Sequence, residues 1–151
     1  MAVSFFYISI AAIWIVFLIC AVKRQLTLRH LMVAIAGMGY SLLYETALGE
    51  YSGLYYYINK ENSLLYIVLS AVLLYPEIEV IYTLFLPEKA YSAIFYTGIW
   101  IILMLIFELV SFYTGTVVLT GWKVIPWSVV TYMVTFLWIN LLYRTLKKRG
   151  L

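Results

Sequence analysis

Residues 1–24 read MAVSFFYISIAAIWIVFLICAVKR, and this stretch decides the fold. No charged side chain occurs from Met1 to Val22, and Lys23-Arg24 then closes the run. At ~1.5 Å per residue, about 20 apolar residues in a helix cross the ~30 Å hydrocarbon core of a bilayer. The stretch has no basic start and no small-residue cleavage site, and it is longer than the apolar core of a signal peptide. It reads as a retained transmembrane helix over residues 3–22.

Four more such runs follow. Helix 2 is expected over residues 29–49, opening at Arg29-His30, with Glu45 interrupting its last turns. Helix 3 is expected over 63–86, with Ser63 as N-cap, Pro76-Glu77-Ile78-Glu79 inside it and Pro87 after it. Pro76 lacks an N–H, so a kink there near the membrane midplane, with a freed carbonyl, is expected. Helix 4 covers 90–112 with Glu108 near its end, and helix 5 covers 125–144 with Pro126 in its first turn. The expected class is all-α: a polytopic integral membrane protein of five transmembrane helices in a single domain over 1–151. Composition agrees, because 66% of the residues are hydrophobic and only 11% charged, with mean hydropathy +0.99. A soluble domain carries about 25% charged residues, so this chain cannot cover a water-facing surface.

Orientation follows from Lys and Arg, which accumulate on the cytoplasmic side. Lys23, Arg24, Arg29, Lys89, Arg144, Lys147, Lys148 and Arg149 fall at one set of helix ends, and Lys60 and Lys123 at the other. The N-terminus is therefore expected outside and the C-terminus in the cytoplasm. Tyr51, Tyr55, Tyr56, Tyr57, Tyr113, Trp122 and Trp127 gather at the outer ends, where a ring with one polar atom suits the headgroup layer. They are expected to form an interfacial belt. The basic residues flank apolar runs and build no patch interleaved with aromatics, so no nucleic-acid partner is expected. Cys20 is the single cysteine, which excludes an intramolecular disulfide.

Several segments resemble an uncharacterised family of small five-helix membrane proteins found largely in endospore-forming Gram-positive bacteria. They are the uncharged first helix with its basic pair, Gly53-Leu54-Tyr55-Tyr56, Tyr75-Pro76 leading to Val80-Ile81-Tyr82, and Phe85-Leu86-Pro87. Glu108, Gly115, Gly121-Trp122-Lys123 and the basic tail complete the likeness. The resemblance implies a multi-pass protein of the bacterial plasma membrane and no particular activity. The chain departs from that family at Tyr55, where a tryptophan is usual, and in carrying Glu77 and Glu79 after Pro76 rather than an acid before it. Tyr75-Pro76-Glu77-Ile78-Glu79 is also similar to the proline-plus-acids segment of membrane-embedded lycopene cyclases, although those have two adjacent acids and here Ile78 intervenes.

All seven acidic residues are glutamates, and Glu45, Glu77, Glu79 and Glu108 fall inside the expected spans, where there is no Lys or Arg to neutralise them. An acid at such depth costs roughly 2.5–3.5 kcal/mol on insertion scales and marks a candidate site. Glu45 and Glu108 each lie six residues outward of their helix centres, ~9 Å above the midplane. They are expected to face the interior at one level, sharing a proton or a water. On helix 2 the face of Glu45 also carries Ala34, Met38 and Ser41, and Gly37 and Ser41 form a small-xxx-small pair, the mark of close helix contact. Glu77 and Glu79 lie ~200° apart around a helix and cannot chelate one ion. Asn140 falls near the depth of Glu79 and is expected to bond it. His30 reads as an interfacial residue and Cys20 as packing. No phosphate loop, metal-ligand spacing or Ser/His/Asp set is present, so neither cofactor nor metal is expected.

The reading these residues favour is a binding protein. Its pocket, between helices 2, 3 and 4 and lined by Ser41, Glu45, Glu77, Glu79, Glu108 and Asn140, would take a membrane lipid, another amphiphile or a partner helix. A homo-oligomer or a second membrane protein are the other partners in view. An alternative is a lipid- or isoprenoid-modifying enzyme with a protonated glutamate as general acid, suggested by the cyclase-like segment. Conduction of protons or cations by an oligomer is a further alternative.

Overall fold

The apolar runs fold as five helical spans in the computed structural model, which describes residues 1–150. The first is α1 (Ala2–Lys23). The second is α2 (Leu28–Glu45), prolonged by a wider π-helical turn at Thr46–Tyr51. The third runs from Lys60 to Leu84 in two pieces, α3 (Ser63–Leu73) and α4 (Tyr75–Leu84). The fourth is α5 (Ala90–Tyr113), and the fifth opens with a wide turn at Val124–Ser128 and becomes α6 (Val129–Lys148). Each span is long and apolar enough to cross a membrane.

The third span is the central strut. Every residue from Pro76 to Thr83 in α4 is buried, and α4 packs against α1, α2, α3 and α6. Over half of the third span's apolar window (56%) is buried, against 6% for α1 and 11% for α5. Large apolar side chains such as Leu43, Ile94, Phe95 and Ile125 point outward from the other spans. On α2 the buried residues are His30, Val33, Gly37, Ser41 and Glu45, with Gly49 continuing the row in the next turn. This four-residue stride is one helix face pressed against α4 and α3.

The expected bend at Pro76 lies two residues earlier. Leu74 leaves helical geometry (φ −128, ψ −58), and Pro76 sits in the first turn of α4, where a missing N–H leaves no bond unmade. The Leu73 carbonyl exposed by the break accepts the indole N–H of Trp14 on α1 at 3.0 Å.

To the expected all-α bundle the structure adds one short ribbon. Beyond the second and fourth spans, β1 (Tyr55–Tyr57) pairs antiparallel with β2 (Val117–Leu119), Tyr55 opposite Leu119 and Tyr57 opposite Val117. Aromatic and β-branched residues favour such pairing. Gly53 (φ +62) and Gly115 (φ +74) supply left-handed turns that a side chain would strain. The Leu54 carbonyl gathers the N–H groups of Thr120, Gly121 and Trp122 at 2.9–3.0 Å, so the ribbon closes this end of the bundle. At the opposite, basic end, Arg144 donates to the carbonyls of Pro87 (2.8 Å) and Glu88 (3.0 Å), and Lys147 meets the Glu88 carboxylate at 2.5 Å.

Candidate functional site

Glu45 ends α2 and turns its carboxyl inward, 9% exposed. Three phenols surround it. Tyr55 donates to Oε2 at 3.0 Å; the Tyr57 hydroxyl is 3.2 Å from Oε2 and the Tyr75 hydroxyl 3.1 Å from Oε1, each placed to donate, and these two hydroxyls lie 2.9 Å apart. The side chains come from β1 and from the start of α4, so this cage forms only when the ribbon folds back over the bundle. Gly49, one turn beyond Glu45, makes room: a Cβ there would lie 3.2 Å from both the Tyr55 ring and Ile67. Tyr55 and Tyr57 are buried (7% and 6% exposed), which corrects the expectation that they belong to an interfacial belt. Tyr51 and Tyr113 remain outside at 92% and 82%. Burial, and after it the Glu45 carboxylate, hold the Tyr55 and Tyr57 phenols far above their ordinary pKa, so both remain O–H donors.

Glu108, on α5, has its own set. Ser128 donates to Oε1 at 2.6 Å and Tyr132 to Oε2 at 3.0 Å, and the Trp122 indole N–H donates to the Ser128 hydroxyl at 2.9 Å. Glu45 and Glu108 face one cavity, as their matching depths suggest, but each carboxyl has separate hydroxyl donors and the two share no hydrogen bond.

The third acid is Glu79, 3% exposed, whose Oε2 is buried without a hydrogen-bond partner. Its carboxyl presses on α2 at Gly37, where an added Cβ would overlap it. Glycine at 37 therefore admits an acid between two packed helices. Gly37 is eight residues from Glu45 along α2, so Glu79 lies ~12 Å from the Glu45 level.

Between these carboxyls is a cavity of about 120 Å³, room for several waters or one slender organic group. Its polar stations are Glu45, Glu108 and, toward the basic end, Glu79; Leu74, Ile78, Met104, Phe107 and Phe136 form apolar walls. All five spans and the ribbon contribute, rather than only helices 2, 3 and 4. Ser41 lines it too, whereas Glu77 and Asn140 do not. Glu77 is buried on another face of α4, with Oε2 unpartnered, so the two acids of the cyclase-like segment do not converge on the cavity. Asn140 does not reach Glu79 as expected. Its amide N–H donates to the Tyr82 hydroxyl at 3.5 Å and its carbonyl accepts from Arg144 at 2.6 Å.

His30 has a structural task that the sequence reading missed. Its Nδ1 accepts the Thr27 N–H at 3.1 Å, and Thr27 in turn caps the His30 backbone, a reciprocal helix cap with histidine in the usual glutamate position.

No family model matches the chain, no curated protein matches it, and no solved structure matches its fold.

Proposed function

We propose that the chain is a multi-pass protein of a bacterial plasma membrane that binds an amphiphile in this cavity. Eight basic residues lie at the ends away from the ribbon and two near it, which supports a cytoplasmic C-terminus and an external ribbon. The apolar side chains on the outward faces of the spans support lipid contact. The observation that carries the binding reading is one cavity, reached by all five spans, in which buried carboxyls alternate with apolar walls. Pockets for small organic molecules have this make-up: mostly apolar lining and a few placed polar groups.

The test is equilibrium binding of octyl-chain probes by calorimetry, with the protein in uncharged maltoside micelles. A saturable site is expected, blocked by Thr135→Phe, which fills the cavity and keeps every carboxyl. Equal binding by the filled variant, with its melting midpoint unchanged, would place the occupant elsewhere and defeat the reading.

A further inference from the structure

We infer that the occupant is a primary organic amine, bound as its ammonium cation with Glu79 as the principal counter-charge. The inference rests on the amphiphile reading above and narrows it to a chemical class.

Charge comes first. Three glutamates line the cavity, and among the described residues no Lys, Arg or His does. An anionic occupant would meet only acids and would lose its hydration without compensation, a penalty of several kcal/mol per ion. A neutral one leaves the carboxyls to carry their protons. A cation replaces those protons with a buried pair.

Acceptor capacity comes next. Both oxygens of Glu45 and both of Glu108 already have a hydroxyl of the fold within hydrogen-bond distance. Glu79 is different: it is 3% exposed, it lines the cavity, and its Oε2, set against Gly37 of α2, has no hydrogen-bond partner. An apolar tail beside this carboxyl would leave it unsatisfied. A primary ammonium brings three N–H donors on a compact charge, which a quaternary ammonium cannot do.

The walls suit the same guest. Phe136, Phe107 and Tyr132 line the same cavity. Aromatic faces attract a desolvated cation, and their edges accept an alkyl body. Glu45 and Glu108, ~12 Å toward the ribbon on the α2 scale, place the same sign of charge at the other end of the cavity.

The experiment compares octylammonium, octyltrimethylammonium, octyl sulfate and octyl glucoside on the unsubstituted protein, and repeats the comparison on Glu79→Gln. Octylammonium is expected to bind at least about tenfold more tightly than the glucoside, as a hydrogen-bonded charge pair implies. It should also exceed the trimethyl compound. Glu79→Gln should erase the preference while leaving glucoside binding unchanged. Equal affinities for all four heads would overturn the amine inference and leave the amphiphile reading standing. Absence of saturable binding by every probe would end both. A preference retained in Glu79→Gln but lost in Glu108→Gln would overturn the assignment to Glu79. The comparison of heads on the native chain decides the ligand class even where a variant melts early.

Discussion

The phenol cage around Glu45 makes an unequal demand on its members, and that inequality can be measured. Tyr55 and Tyr57 both donate to Oε2, whereas Oε1 accepts from Tyr75 alone among the described residues. The Tyr75 hydroxyl also lies 2.9 Å from that of Tyr57. Tyr→Phe keeps the ring and removes only the O–H, so packing is constant across the series. Tyr55→Phe leaves Oε2 with a second donor and should cost about 1 kcal/mol, near a typical net hydrogen bond. Tyr75→Phe strips a buried carboxyl oxygen of its donor, so about 2–3 kcal/mol is expected. The assay is unfolding in mixed maltoside and dodecyl sulfate micelles, followed by tryptophan fluorescence. If the cost acts through Glu45, a double-mutant cycle with Glu45→Gln should return a coupling of about 1 kcal/mol or more with Tyr75→Phe. Equal losses for the two phenylalanine variants, or a larger loss at Tyr55, would refute the assignment of donors to oxygens.

Other expectations are as direct. Gly37→Ala gains helix propensity of about 1 kcal/mol, yet its Cβ overlaps the Glu79 carboxyl, so it should lower the melting midpoint; a rise would remove Glu79 from that contact. A cysteine at Asn59 or Thr120, in a Cys20→Ser background, should react with an impermeant thiol reagent from outside, and one at Gly150 should not; the reverse pattern inverts the orientation. Lys147, and with it Arg144, hold the exposed Glu88 carboxyl below its ordinary value of 4.5. A lowered folded value means that the contribution is present above the unfolded pKa and fades as pH falls through the folded one. Lys147→Ala should therefore weaken the basic end slightly at neutral pH, with the gap to the native chain closing below about pH 4; a gap that widens in acid contradicts the pairing.

How much of this was legible in the sequence depends on what the signal encodes. Span positions were readable because an uncharged run of bilayer length has few other uses, and Lys23-Arg24 or Pro87 marks its end chemically. Boundaries moved by a few residues at most for α1 and α5. What the sequence hid was burial. In a soluble protein apolar residues face inward, but here Ile15 faces out and Ile81 is enclosed, although their chemistry is the same. Hydropathy therefore could not identify α4 as the strut. The ribbon was hidden for another reason: three-residue strands give no periodicity to detect, although Gly53 and Gly115, flanking tyrosine and valine, supplied a usable turn signal.

The site was half legible, along the same divide. Depth follows from counting residues, so the matching levels of Glu45 and Glu108 could be read, and the Gly37-Ser41 pair pointed to the buried face of α2. Direction around a helix depends on a partner's position, so Glu79 and Glu77 could not be told apart, nor could Asn140 be matched to Tyr82. The tyrosines near Glu45 show the cost of treating polar and aromatic patterns separately. An acid brought into a packed interior needs donors that carry no charge of their own, and phenols meet that need while filling space. Seen from Glu45, a cluster of tyrosines ten to twelve residues downstream is the expected source of those donors, and a tight return of the chain is the expected means. The ribbon thus has a physical reason to exist: it returns Tyr55 and Tyr57 to the acid at the end of α2, and Trp122 through Ser128 to the acid on α5. Glu79 has no such device. Of the three carboxyls that line the cavity, it is the one with an oxygen that the fold leaves without a donor.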